Sequence, residues 1–316
     1  MRIAFIGNFQ DATYTTENHH RITFEKLGHT VIPFQENRTS VAEIMKEAVN
    51  CDMLYWTHTH SFKLDTWDNI ERMLHQLKIL RIPTVGFHLD LWLGLQREKD
   101  LHTDPYWQIQ HFFTVDPQMA EWLNNNSAYT TGYYLPAGCL EDESYLGTPD
   151  KEKYPHDIVF TGSLGYHFEY PYRPRLIKWL HDTYRERFAH YGGGGKQGLR
   201  GAELNNMYAS AKIVIGDTLC KDFKYEGYFS DRAFEVPARG GFMIFPNIKG
   251  IEKMYELGKE IVPYEYENFG QLKFLIDYFL QHDEDRERIR IAGHERAKRD
   301  HTYTNRLSSL IKTLGL

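Results

Sequence analysis

Apolar residues along this chain come in short runs separated by amphipathic stretches, and several runs end at a glycine or a proline. The first, Arg2-Ile3-Ala4-Phe5-Ile6-Gly7, has the length and pattern of a buried parallel strand that turns at its carboxyl end. Thr15-Thr16-Glu17 offers amino-terminal caps for a helix that Leu27-Gly28 stops, and His29-Thr30-Val31-Ile32-Pro33 reads as the next strand. The alternation continues with a helix through 41–45, a strand at 53–56, a helix over 67–80, a strand at 83–87 and two short strands near 112–115 and 133–135. Residues 136–157 break it, because Pro136, Gly138, Gly147, Pro149, Pro155 and a cluster of charges displace the periodic apolar positions, and they read as a linker. A second series opens at Asp157-Ile158-Val159-Phe160-Thr161-Gly162, with further strands near 188–191, 212–216, 241–245 and 261–264. Helices are expected over 175–180, 202–209, 230–238, 249–257 and 269–280, followed by a charged segment from Asp285 to the end. This predicts an α/β protein of two Rossmann-like domains, 1–150 and 151–316, facing each other across a cleft, with ligands outside the carboxyl ends of the strands.

Composition narrows the function classes. At 41% hydrophobic and 25% charged residues, the chain lies far from the corner where sequences stay disordered. No stretch approaches the roughly 20 apolar residues of a membrane span, and Met1-Arg2-Ile3 runs straight into a strand pattern instead of a leader. The three cysteines, Cys51, Cys139 and Cys220, form no CxxC pair, so neither a disulfide framework nor a thiolate metal site is suggested and a cytoplasmic protein is expected. The net charge of -6 is uneven: residues 1–150 carry -9 and 151–316 carry +3. An anionic ligand is therefore sought in the second half, and the acidic first half counts against a long nucleic-acid duplex.

Two constellations in that half could hold such an anion. Gly162-Ser163-Leu164-Gly165 follows a strand, where glycines let backbone amides approach a phosphate. It lacks the spacing of dinucleotide or P-loop fingerprints. Arg173 and Arg175 lie just downstream and offer guanidinium forks that match phosphate oxygens. Further on, Tyr228-Phe229-Ser230-Asp231-Arg232-Ala233-Phe234-Glu235 places Arg232 and Glu235 three apart on one helix face, if the helix begins at Ser230. An arginine there could meet a diphosphate and a carboxylate could take the two hydroxyls of a ribose. From spacing alone, an intrahelical ion pair is the simpler reading.

Residues 157–316 resemble the carboxyl-terminal half of group 1 glycosyltransferases, specifically the group named after the spore maturation protein CgeB. The resemblance rests on Val159-Phe160-Thr161-Gly162-Ser163 with Arg173, on Ser230-Asp231-Arg232-Ala233-Phe234-Glu235 with Ala238-Arg239-Gly240-Gly241, on Lys259-Glu260-Ile261-Val262-Pro263-Tyr264, and on His301-Thr302-Tyr303-Thr304-Asn305-Arg306. It implies a GT-B fold and transfer of a sugar from a nucleoside diphosphate, a UDP-sugar favoured, to an acceptor held by the first domain. Related proteins usually retain the anomeric configuration, and their carboxyl-terminal segment often crosses back to the first domain. The resemblance gives Gly162, Ser163, Arg173, Arg232 and Glu235 to the donor, with Glu235 on the ribose and both arginines near the diphosphate. Where many relatives carry a second glutamate eight positions before Glu235, this chain has Gly227, with Glu226 one residue off. Arginines and amides that stabilise the departing diphosphate require no metal and no further cofactor.

The first half is less specific. Asp90, in His88-Leu89-Asp90 after a strand, resembles the residue that related transferases place there, and is expected to act as general base or sugar-hydroxyl ligand. A helix-capping aspartate beside a structural histidine describes it equally well. His58 and His60 in Thr57-His58-Thr59-His60, together with His88, Thr13, Thr15, Thr16, Glu17 and Asn18, are candidates for lining the acceptor side; no metal motif accompanies the histidines. The aromatics Trp92, Tyr106, Trp107, Phe112 and Phe113 fit a core at least as well as a sugar platform. A glycan, a protein, a small molecule or a modified nucleic-acid base all remain possible acceptors. Two other readings stay open, a nucleotide-sugar 2-epimerase and a silent nucleotide-sugar-binding protein.

Overall fold

The computed structural model describes residues 1–10, 14–60, 62–165 and 168–316; Thr13, one of the acceptor-side candidates, lies outside them. The chain divides into two compact units, Met1–Pro136 with Tyr303–Leu316, and Ala137–Thr302.

In the first unit strands and helices alternate as β1 (Arg2–Gly7), α1 (Thr16–Lys26), β2 (Thr30–Gln35), α2 (Val41–Ala48), β3 (Met53–Trp56), α3 (Trp67–Ile79), β4 (Thr84–His88), β5 (His111–Thr114), α4 (Pro117–Asn126) and β6 (Thr131–Tyr134). The six strands form one parallel sheet in the order β2-β1-β3-β4-β5-β6. All of β3 and β4 is buried, as parallel strands covered on both faces require. Short polar residues set the helix starts: Thr15 accepts from the Asn18 N–H, and Ser40 forms a reciprocal capping box with Glu43. Trp56, Trp92, Tyr106, Trp107 and Phe112 belong to one packed core on this sheet.

The second unit contains β7 (Ile158–Thr161), α5 (Tyr172–Tyr184), β8 (Phe188–Tyr191), α6 (Gly201–Ser210), β9 (Ile213–Ile215), α7 (Arg232–Ala238), β10 (Met243–Pro246), β11 (Val262–Tyr264), α8 (Phe269–Gln281) and α9 (Asp283–Asp300). Its parallel sheet runs β11-β10-β9-β7-β8. The last helix, α10 (Tyr303–Leu314), packs with α1 of the first unit, bringing Tyr303 onto His20 at a ring separation of 4.5 Å.

Three details differ from the sequence reading. The division falls at Pro136 and Ala137, not at 150 and 151, because residues 137–150 are fastened to the second unit by polar contacts. Asn205 donates to the carbonyls of Glu143 and Tyr145 (2.9 Å each), Asp150 N–H donates to Ser210 (2.7 Å), and buried Arg239 pairs with Glu143. In place of a helix over 249–257 there is a single 3-10 turn, Ile251–Lys253, bracketed by Gly250 and Gly258, both at positive φ. The helix expected from Ser230 starts at Arg232, because the Ser230 N–H and hydroxyl bond instead to the Thr218 hydroxyl (3.1 Å) and the Asp217 carbonyl (3.3 Å). Among the described residues no helix is long and apolar enough to cross a membrane.

Candidate active site

Strands β8, β7 and β9 end side by side, and each is followed by glycine. Gly162 follows β7, Gly192 to Gly195 follow β8, and Gly216 leads into Asp217 and Thr218 after β9. Two of these glycines are obligatory. Gly162 has φ 137°, and a Cβ there would lie 2.7 Å from Arg232 Nη2; Gly192 has φ 132°, and a Cβ would lie 2.3 Å from the Gly162 carbonyl. The two loops are stitched together by Gly162 N–H to Tyr191 O (2.8 Å) and Leu164 N–H to Gly193 O (2.7 Å).

Around this backbone the side chains have distinct tasks. Arg173 is buried, with Nε 2.8 Å from Oδ2 of fully buried Asp217 and Nη1 donating to the Ser163 carbonyl at 3.1 Å. The Tyr170 hydroxyl donates to the other Asp217 oxygen at 3.0 Å, and burial, reinforced by that carboxylate, pushes the phenol far above its usual range. Arg232, half-buried, donates from Nε to the Thr161 carbonyl at 2.8 Å; burial, followed by repulsion from Arg173, lowers its pKa. Its terminal nitrogens have no hydrogen-bond partner among the described residues, nor does the half-buried Glu235 carboxylate one turn along α7, nor the Ser163 N–H and hydroxyl. Buried Tyr208, whose hydroxyl lies 2.8 Å from Thr161 Oγ1, is pushed up to about 12 by burial and feels the charges of both Glu235 and Arg232.

So Gly162, Ser163, Arg173, Arg232 and Glu235 gather at one edge of the second sheet, but with unlike roles. Arg232, Glu235 and Ser163 present free polar groups. Arg173 is engaged with Asp217 and with the loop. Arg175 is exposed and paired with Glu267, and Glu226 is half-buried and paired with Lys249 (2.7 Å).

The first unit places its candidates at the carboxyl ends of β1, β3 and β4. Thr16 is half-buried in the first turn of α1, where its neighbour Thr15 is the cap. His58 is tied by Nδ1 to the fully buried Glu36, which also accepts from Trp56 Nε1 (2.7 Å) and the Thr59 N–H (2.9 Å). His88 ends β4 within 5.1 Å of the rings of Trp92 and Trp107; burial first, and Arg97 second, hold it well below the usual imidazole range. His60 packs on the other edge of Trp92 at 4.7 Å, and Asp90, half-buried, is close enough to influence its charge. Glu17, in the first turn of α1, is buried and pushed up to about 7 by loss of solvent. Gly7 makes room for it, since a Cβ there would sit 2.8 Å from Glu17 Cγ. Among the described residues no three His, Cys, Asp or Glu side chains gather as metal ligands.

The glycosyl transferase-like family model matches residues 173–312, spanning α5 to α10 with Arg173, Arg232 and Glu235. That match covers 140 of the 316 residues, the part of the chain that holds these three side chains. No curated protein matches this chain in sequence. In structure the chain is similar to Anabaena HepE, solved with UDP and glucose (TM-score 0.64, 13% identity, 100% of this chain and 99% of that one). It is also similar to sucrose-phosphate synthase from Thermosynechococcus elongatus (0.63, 11%, 99% of each) and to the DNA-modifying β-glucosyltransferase (0.59, 14%, 100% of each). At such identities the likeness is one of fold, and that fold is GT-B.

Several residues of this site were not singled out from sequence. Asp217, His190 and Tyr208 lie on strand ends or a helix with no motif around them, and they matter because the sheet order sets β9 and β8 beside β7. The run Gly192-Gly193-Gly194-Gly195 was the one local signal, since four glycines after a strand mark a backbone that other groups approach closely.

Proposed function

We propose that this protein is a glycosyltransferase that takes its sugar from a nucleoside diphosphate sugar, a UDP-sugar first, bound at the glycine loops of the second unit. The observation that carries the reading is the meeting of Arg232 guanidinium nitrogens, a Glu235 carboxylate and the Ser163 N–H, each without a hydrogen-bond partner among the described residues, at the ends of β7 to β9. Cationic nitrogens and an amide suit the diphosphate, and a carboxylate suits vicinal ribose hydroxyls. Structures of HepE and of the DNA β-glucosyltransferase describe UDP-glucose or UDP as their ligands, which supports uridine as the base to try first.

In the proposed reaction the bond from sugar C1 to the diphosphate oxygen breaks, and its electron pair leaves with the phosphate. Arg232 and the loop amides stabilise that charge in a site already organised for it. An acceptor hydroxyl oxygen bonds to C1 and releases its proton to a base. On the acceptor side Asp90 is proposed as that base or as a sugar-hydroxyl ligand, with Thr16 as an acceptor contact; both stay half-buried. His58 and His88 shape the same edge from behind, one through Glu36 and one through its aromatic neighbours. Within the class, the segments at 230–241 and 301–306 favour the CgeB-like group. The three cysteines are buried and, among the described residues, form no disulfide, which suits a reducing compartment, the cytoplasm.

Calorimetry with UDP, GDP, ADP and CMP and their sugars, each with and without chelator, tests the reading. One nucleoside diphosphate should bind with chelator present and be lost in Glu235→Ala. No binding of any of them sinks the donor site. A nucleotide sugar consumed without acceptor, giving its 2-epimer, would replace transfer by epimerisation, and binding without turnover would leave a silent binder.

A further inference from the structure

Three consecutive carbonyls after β7 are each held by a different side chain. Arg232 Nε donates to Thr161 O at 2.8 Å, His190 Nε2 to Gly162 O at 2.6 Å, and Arg173 Nη1 to Ser163 O at 3.1 Å. A carbonyl can only accept, so the His190 bond fixes the tautomer that carries its proton on Nε2. The three donors come from separate elements, α7, β8 and α5. Two of them are themselves anchored: Arg173 by Asp217, which Tyr170 also holds, and His190 by its place in a fully buried strand.

Consecutive peptide groups in an extended or turning chain cannot all point their carbonyls to bonded partners on the protein side without constraining where the N–H groups between them point. Gly162 N–H and Leu164 N–H are absorbed by the end of β8 and its loop, and among the described residues Ser163 N–H and the terminal Arg232 nitrogens are left without partners. We infer that His190 and Arg173 are positioning residues, which pin the Gly162 and Ser163 carbonyls so that the Ser163 amide and the Arg232 guanidinium face a ligand's diphosphate. The inference rests on the donor reading above. It changes the role given to Arg173, from a contact of the phosphate to a support of the backbone that makes the contact, and it gives a role to His190. It also explains Gly195: a Cβ there would lie 2.6 Å from His190 Nδ1, so only glycine lets that loop close over the imidazole.

Inorganic pyrophosphate is the probe, because it reports on the loop without the nucleoside. Three full-length variants are compared with the wild type by calorimetry: His190→Met, of similar bulk but no donor; His190→Gln, whose amide nitrogen can replace Nε2; and Arg173→Lys, which keeps the charge facing Asp217 but loses the second donor. Pyrophosphate affinity should fall about tenfold in His190→Met and in Arg173→Lys and return to within about threefold in His190→Gln, as expected for one net hydrogen bond. Rescue by glutamine is a result that general loosening of the fold does not give. Should His190→Met fail to fold, Arg173→Lys still decides. Unchanged pyrophosphate affinity in Arg173→Lys and both His190 variants overturns the inference, as does a wild type that binds UDP-glucose but not pyrophosphate. A wild type that binds pyrophosphate, with the expected losses, but no nucleotide sugar upholds the loop and overturns the donor reading.

Discussion

At the carboxyl edge of the first sheet the ionisable side chains face aromatic rings and one another, whereas at the edge of the second they face backbone carbonyls and glycine loops. Glu17 is pushed up to about 7 and His88 well down by the same cause, loss of water, so each is driven towards its neutral form. Glu36, the fully buried carboxylate there, is closed off by three donors. In the second unit a buried carboxylate, Asp217, anchors Arg173, and Arg232 keeps its terminal nitrogens unengaged among the described residues. Two sheets of the same parallel design thus have opposite electrostatic character, in line with -9 in residues 1–150 and +3 in 151–316. The lesson is that the fold supplies only the place, at the strand ends, and the burial of particular charges decides whether that place suits an anion or an uncharged hydroxyl.

The sharpest way to break the comparison is to remove the anchor of the second edge. Asp217→Ala leaves Arg173 buried without its counter-charge, and should cost about 3–5 kcal/mol of stability in denaturant titration. A loss under 1 kcal/mol would show that the ion pair does not organise that edge.

Glu17→Gln probes the first edge. The folded-state pKa stands above the free carboxyl value of 4.5, so between about pH 4.5 and about 7 the folded protein keeps a proton that the unfolded chain has lost. The wild type should therefore lose stability as pH rises through that window, by up to about 3 kcal/mol, and the variant should not. Parallel curves for the two proteins between pH 5 and pH 8 would refute the neutral Glu17.

A smaller effect is expected on donor affinity from Glu235→Gln, which keeps the shape of the side chain. The loss should be about 1–2 kcal/mol by calorimetry with UDP-glucose, less than in Glu235→Ala, because an amide still accepts from one hydroxyl. Equal affinity for wild type and both variants would remove Glu235 from the ligand.

The smallest change is Thr15→Ala. Loss of the α1 cap should cost about 1 kcal/mol, and since the Thr15 hydroxyl also favours ionised Glu17, the Glu17 titration seen by NMR should move further up. A downward shift would mean that burial is not what governs this carboxyl.

The alternation of strands and helices, the glycines that end strands and the placing of Arg232 and Glu235 on one helical segment were all legible along the chain, because each depends on residues within a few positions of each other. Local periodicity also gave the two parallel α/β sheets. What it misjudged were local features with a distant partner: Ser230 bonds to the β9 loop and so stays out of α7, and residues 137–150 look like a linker yet are hooked to Asn205, Ser210 and Arg239.

The sequence alone determined the strand and helix periodicity, the chirality of the glycine turns and the uneven charge, since these are properties of neighbours in the chain. The tertiary structure decided the rest: that Arg173 meets Asp217, that His190 reaches the Gly162 carbonyl, and that Tyr303 returns to His20. Those partners are separated by 28 to 283 positions in sequence and by a few ångströms in space. Burial, which sets whether a carboxyl such as Glu17 is charged and whether a guanidinium such as Arg232 is engaged, exists only once strand order has fixed which side chains exclude water from one another.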